Sequence, residues 1–217
     1  MERTTLFQKN ANVLTASGKQ IGSLQRVVLH PETKVITDIV VQGGGLFSKE
    51  YRIVPIDLVD ETTENQVILR GEAGEWESLP LFEERRIVSE GEDQFSTPTD
   101  AQSVIYGVPG VGPAVISGSE EQFVTRMEQN IPEGTVALKE GAKVYTADDK
   151  HAGNVERVLA DPSMDRATHL IITQGLLVKE KKLIPMKCVM MLGEDTVHLQ
   201  VTEAELKEFD SVSPPEE

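Results

Sequence analysis

The chain has 217 residues, 39% of them hydrophobic and 26% charged, a formal net charge of -15 and a mean hydropathy of -0.24. This composition suits a soluble globular protein. It disfavours nucleic acid and anionic membrane surfaces as partners, because the average field repels phosphate. No apolar run approaches the ~18 residues that span a bilayer, so direct membrane insertion is not expected.

In chain order, residues 1–12 are polar and read as a lead-in, without the apolar core of a signal peptide, so the expected location is cytoplasmic. Val13 to Ala16 begins a strand, Ser17-Gly18 is a tight turn with Gly18 free to take positive φ, and Ile21 to Leu29 resumes as a strand. Gly22, just inside that strand, marks a bulge or bend of the kind a small barrel needs. His30-Pro31-Glu32-Thr33 is a turn with Pro31 presetting φ, and Val35 to Gln42 is a β-prone run. The loop Gly43 to Gly45 leads into a strand over Leu46 to Ile56, with Pro55 at a strand end or edge. Leu58-Val59 continues in extended form, Val67 to Leu69 is the last strand, and a helix interrupted by Pro80 is expected over Glu75 to Glu84.

Residues 89–131 differ in kind. Gly107-Val108-Pro109-Gly110-Val111-Gly112-Pro113 cannot form a regular helix or central strand, and the segment reads as a Pro/Gly-rich linker. Ser119-Glu120-Glu121-Gln122 resembles a capping box, which predicts a short helix over about 120–129.

The chain then repeats itself. Val144 to Pro185 follows Val13 to Pro55 residue for residue: Gly22 falls on Gly153, Pro31 on Pro162 and Thr37 on Thr168. After a one-residue deletion, Lys49-Glu50 falls on Lys179-Glu180 and Ile53-Val54-Pro55 on Leu183-Ile184-Pro185. Self-similarity on this scale implies a duplicated structural unit. In the second copy the first turn is Asp148-Asp149-Lys150, where Asp tolerates the left-handed region, and Thr202-Glu203-Ala204-Glu205 is a capping box that opens a terminal helix. The domains expected are 1–88, the linker 89–131, and 132–217 with a C-terminal helix and acidic tail.

The pattern Gly18-Lys19-x-Ile21-Gly22-x-Leu24-x-x-Val27, a turn at His30-Pro31 or Asp161-Pro162, a β-branched strand, a glycine loop and Ile53-Val54-Pro55 resembles the PRC-barrel family over about 13–85 and 144–210. The second copy departs from it at Ala152 and Asp149-Lys150. The resemblance implies an all-β chain: two tandem small PRC-type β-barrels of about six strands each, with short terminal helices. Members of the family include the cytoplasmic part of the H subunit of purple bacterial photosynthetic reaction centres and the C-terminal domain of a ribosome maturation factor. The family shares no catalytic residues, so none is carried over.

Chemistry sought directly gives little. Gly43 to Gly45 lacks the helix that a phosphate cradle needs. His30, His151, His169 and His198 show no metal-ligand spacing, and Asp148-Asp149 and Asp161 read as turn residues rather than a cation loop. The sole cysteine, Cys188, excludes an internal disulfide, and its neighbours Val189, Met190 and Met191 mark it as a buried thiol. No catalytic, cofactor or metal residue is assigned. Lys179, Lys181 and Lys182, aligned with Lys49 and Arg52, form the one basic cluster. They read as a solvated strand edge or as a docking spot for an acidic partner or RNA. The sequence therefore points to a non-enzymatic interaction or assembly scaffold with a protein partner or self-association. The alternatives are a ribosome-maturation-like factor and a peripheral soluble subunit of a photosynthetic or respiratory membrane complex.

Overall fold

The computed structural model describes residues 5–43, 50–63, 65–70, 76–89, 123–175 and 180–211. The first copy contains β1 (Thr5–Gln8), β2 (Asn12–Leu14), β3 (Gln20–Leu29), β4 (Ile36–Gly43), β5 (Glu50–Pro55), β6 (Val59–Thr62) and β7 (Gln66–Leu69). After β8 (Glu83–Ser89) and β9 (Phe123–Gln129), the second copy contains β10 (Val136–Lys139), β11 (Lys143–Tyr145), β12 (His151–Asp161), β13 (Arg166–Gln174), β14 (Glu180–Pro185), β15 (Val189–Leu192) and β16 (Thr196–Leu199), closed by α1 (Glu203–Leu206). The chain is nearly all-β, with two seven-stranded sheets of matching topology. Their paths are β5-β4-β3-β2-β7-β6 and β14-β13-β12-β11-β16-β15.

Each sheet takes its seventh strand from the other copy. Strand β1 pairs antiparallel with β12, Thr5 opposite Ala160 and Gln8 opposite Arg157. Strand β10 pairs with β3, Val136 opposite Leu29 and Lys139 opposite Arg26. The two registers are the same contact made in both directions. The lead-in expected over residues 1–12 is therefore corrected: Thr5–Gln8 within it is a strand of the second sheet. The boundaries 1–88 and 132–217 describe the repeat but divide each sheet. The physical reason is burial: Phe7 is 2% exposed and Leu138 2%, and each fills the neighbouring copy's core. Burying a side chain of this size is worth about 2 kcal/mol, which a solvated lead-in would forgo.

One apolar cluster consequently runs through both copies, with Phe7, Val13, Leu24 and Ile39 packed in the same set as Leu138, Val144, Val158 and Leu170. The copies form one compact unit, residues 1–82 with 129–217. Residues 83–128 form a second unit, whose described part is the two-stranded sheet of β8 and β9.

Strand β9 corrects the helix expected over about 120–129. Phe123-Val124-Thr125 is β-prone, and pairing with β8 provides hydrogen bonds that a lone helical turn would not. The capping box proposed at Ser119 to Gln122, most of the linker, and the acidic tail lie outside the described residues. The helix expected over Glu75 to Glu84 is a single 3-10 turn, Trp76–Ser78, ahead of Pro80. The extended reading at Leu58 gives way to a 3-10 turn, Ile56–Leu58, and the second copy has the matching turn at Met186–Cys188, each following a proline. The Thr202 capping box is present with both arms, and Cys188 is buried.

Candidate interaction surface

The turn residues occupy the conformations their chemistry suggests. Gly18 has φ of 81° and Asp149, its counterpart, 57°. Gly22 and Gly153 each follow a register shift in the β2–β3 and β11–β12 pairings. A Cβ on Gly22 would stand 2.7 Å from Val41 Cγ1 and would overlap the Gln42 carbonyl. A Cβ on Gly153 would overlap the Thr173 carbonyl. Both glycines therefore allow close strand approach, and Gly153, at φ of 132°, adds a backbone constraint.

At the Pro31 turn, His30 Nδ1 accepts from the backbone N–H of Glu32 (3.2 Å) and Thr33 (3.3 Å). At the Pro162 turn, Asp161 Oδ1 accepts from Ser163 N (2.8 Å), and the Ser163 bonds hold the Asp161 carboxyl below the usual range. Lys34 and Asp165 then take positive φ, 63° and 45°. The two turns meet: Ile36 N donates to Asp165 O (2.7 Å), Ala167 N donates to Lys34 O (2.9 Å), and Val35 bridges Arg166.

The expected docking cations are engaged internally. Arg52 Nη1 donates to the carbonyls of Glu77 (3.1 Å) and Leu79, Nη2 reaches Glu50 (2.9 Å), and the guanidinium lies 5.5 Å from the centroid of the Trp76 ring. Lys182, its counterpart, is 4% exposed and reaches Glu180 (3.3 Å) and the Phe209 carbonyl (3.4 Å). Both cations fasten the segment that leaves their sheet, through bridges from Arg52 to Leu81 and from Lys182 to Ser211. Lys181 pairs with Glu156 at 2.7 Å. Lys49 and Lys179 lie outside the described residues. Sequence alternation could not show this role, because the carbonyl partners are placed by the path of the chain after each sheet.

Turn acids are likewise committed. Asp148 Oδ1 accepts from Glu203 N (3.0 Å), and Lys150 bridges Asp148 (3.2 Å) and Glu203 (2.8 Å). Bonds from Thr146 and from the Glu203 backbone, with Lys150 beside them, pull the Asp148 carboxyl down to about 2. Among the described residues no group of three or more His, Cys, Asp or Glu side chains could hold a metal ion. Tyr145 stacks on His198 with centroids 5.4 Å apart and meets His151 edge-on at 5.8 Å.

Where β1 crosses to β12, Glu140 accepts the backbone N–H of Lys9, the residue to which the repeat assigns it. Burial lifts the Glu140 carboxyl to about 7, against the pull of Lys9 and with Glu156 adding to the rise.

Two grooves border the turn-to-turn bridge, and the repeat relates them. One, of about 210 Å³, is lined by Asp57, Asp60, Glu61, Asp161 and Asp165, with Arg70 3.2 Å from Asp60. The other, of about 780 Å³, is lined by Lys34, Arg166, His169, Lys187 and Met190, with Glu32 the one acid. Asp165 stands where the first copy has Lys34, Lys187 where it has Asp57, and Met190 where it has Asp60. Sequence reading by motif missed both grooves. Comparing charge position by position between the copies would have found the inversion.

A family model described as PRC-barrel domain matches residues 9–74 and again 140–206. No curated protein matches the chain. Among the described residues no helix is long and apolar enough to cross a membrane.

Proposed function

The chain belongs to the PRC-barrel family, with the domain present twice, and from that premise we propose that it is a non-catalytic assembly adaptor that docks a protein partner. The observation that carries this reading is the contrast between a repeated interior and a diverged exterior. The same apolar positions are filled in both copies, and the exchanged strands make one body of them. On the surface, equivalent positions such as Asp57 and Lys187 carry opposite charge. A duplication whose interior is preserved while its grooves change sign suits the presentation of two different surfaces from one rigid support.

The test is an affinity pull-down of the tagged full chain from its native lysate, with mass spectrometry and a salt titration of what is retained. A stoichiometric protein surviving moderate salt supports the adaptor reading. Recovery of the chain alone overturns it.

A further inference from the structure

We propose that the larger groove, between the Pro31 turn and the β13–β15 face of the second copy, is a docking site for a short acidic peptide segment carrying an apolar side chain. This rests on the adaptor reading and names the chemistry of one partner.

Three observations converge there. First, the groove is cationic on a chain of net charge -15. Arg166 and Lys187 are exposed, and no ion pair engages either of them among the described residues. Lys34 is half-buried, with its ammonium fixed on the Pro31 carbonyl, so its charge is held at the wall. Second, the groove has an apolar lip. Met190, which lines it, is 63% exposed, one of the five large hydrophobic side chains exposed among the described residues. Methionine is an adaptable surface for a partner's apolar side chain. Third, the matching groove supplies an internal comparison. The same backbone, with the same turn and the same 3-10 element, carries Asp165, Asp57 and Asp60 at the positions of Lys34, Lys187 and Met190. The cationic and apolar character is therefore no requirement of the fold.

The charges select anions, and Met190 selects among them. A phosphate or nucleic-acid backbone offers nothing apolar to Met190. A long polyanion would also meet the protein's negative field along its whole length, whereas a short segment lies within about one Debye length of the groove cations. A carboxylate-bearing peptide with one apolar side chain matches both features.

The experiment is fluorescence anisotropy of a labelled oligoglutamate peptide with one central leucine, titrated with the full chain at low and moderate salt. Saturable binding is expected. It should weaken about tenfold or more in Arg166→Glu/Lys187→Glu, the effect of losing about 1.4 kcal/mol. Asp60→Asn raises the net charge without touching the groove and should leave the affinity unchanged. Met190→Ser should weaken the leucine peptide but leave a leucine-free peptide unaffected. Circular dichroism melts establish that each variant is folded.

Absence of binding, equal affinity in wild type and the charge-reversed variant, or equal affinity for inorganic triphosphate would each overturn the proposal. Repeating the lysate pull-down with the charge-reversed variant separates it from the adaptor reading. A partner retained by both forms removes the groove and leaves the adaptor. A wild-type chain that retains nothing from lysate yet binds the peptide removes the adaptor and leaves the groove.

Discussion

Gly153 shows how much one missing Cβ can govern. Its φ of 132° and the Thr173 carbonyl beside it leave no room for a side chain, so Gly153→Ala should destabilise the chain by about 1–3 kcal/mol in urea unfolding. Glu140 offers a second test, read against pH. Its carboxyl is raised from 4.5 to about 7, so the folded chain holds a proton that the unfolded chain releases. The stability tied to this group is present below 4.5 and lost as pH rises toward 7. Because the side chain is partly solvated, the effect should be on the order of 1 kcal/mol. Glu140→Gln should flatten that part of the profile relative to wild type, and parallel profiles would show that the group does not titrate as described. Asp148 has the opposite sign. Its contribution is present above 3.8 and lost as pH falls toward about 2.

Among the elements, the exchanged strands are where sequence and structure part. Phe7→Ala should cost about 3–5 kcal/mol, as for a fully buried aromatic, although it lies in a stretch whose composition reads as a polar lead-in. Hydrogen exchange in that variant should rise first across residues 157–160, the segment of β12 that β1 covers, rather than in β3. The strands within each copy were legible because turn residues such as Gly18, Pro31 and Pro162 act locally, as do the Thr202 capping box and the bends at Gly22 and Gly153. Which sheet β1 and β10 would join was not legible, because that depends on contacts more than a hundred residues away. The helix expected near 120–129 failed for the same reason: local capping chemistry favoured it, and a strand partner at Glu83–Ser89 favours β9. The site was legible only in part. Basic residues at 52, 181 and 182 stand out in the sequence, but their carbonyl and carboxylate partners come from segments the strand pattern does not place.

For the molecule as a whole, reciprocal exchange predicts a single transition. Neither sheet keeps all its strands when the other copy unfolds, so the copies should melt as one cooperative unit. The chain carries its own reporters. Trp76, the one tryptophan, belongs to the first copy, and Cys188, the one cysteine, is buried in the second. Tryptophan fluorescence and thiol labelling along a urea series should give the same midpoint. Two separated midpoints would show that the exchanged strands do not couple the copies.

The exchange also sets an order of events at the ribosome. When the first copy has left the exit tunnel, the edge of β3 from Arg26 to Leu29 still lacks β10, which lies more than a hundred residues downstream. Nascent chains otherwise fold domain by domain as they emerge. Here the first copy must wait, with an open strand edge exposed to whatever is nearby, until residues 136–139 have been made. Slowing translation across the intervening stretch should therefore lengthen this exposed interval and increase aggregation, whereas a chain with two self-contained barrels would use the same pause to finish folding the first.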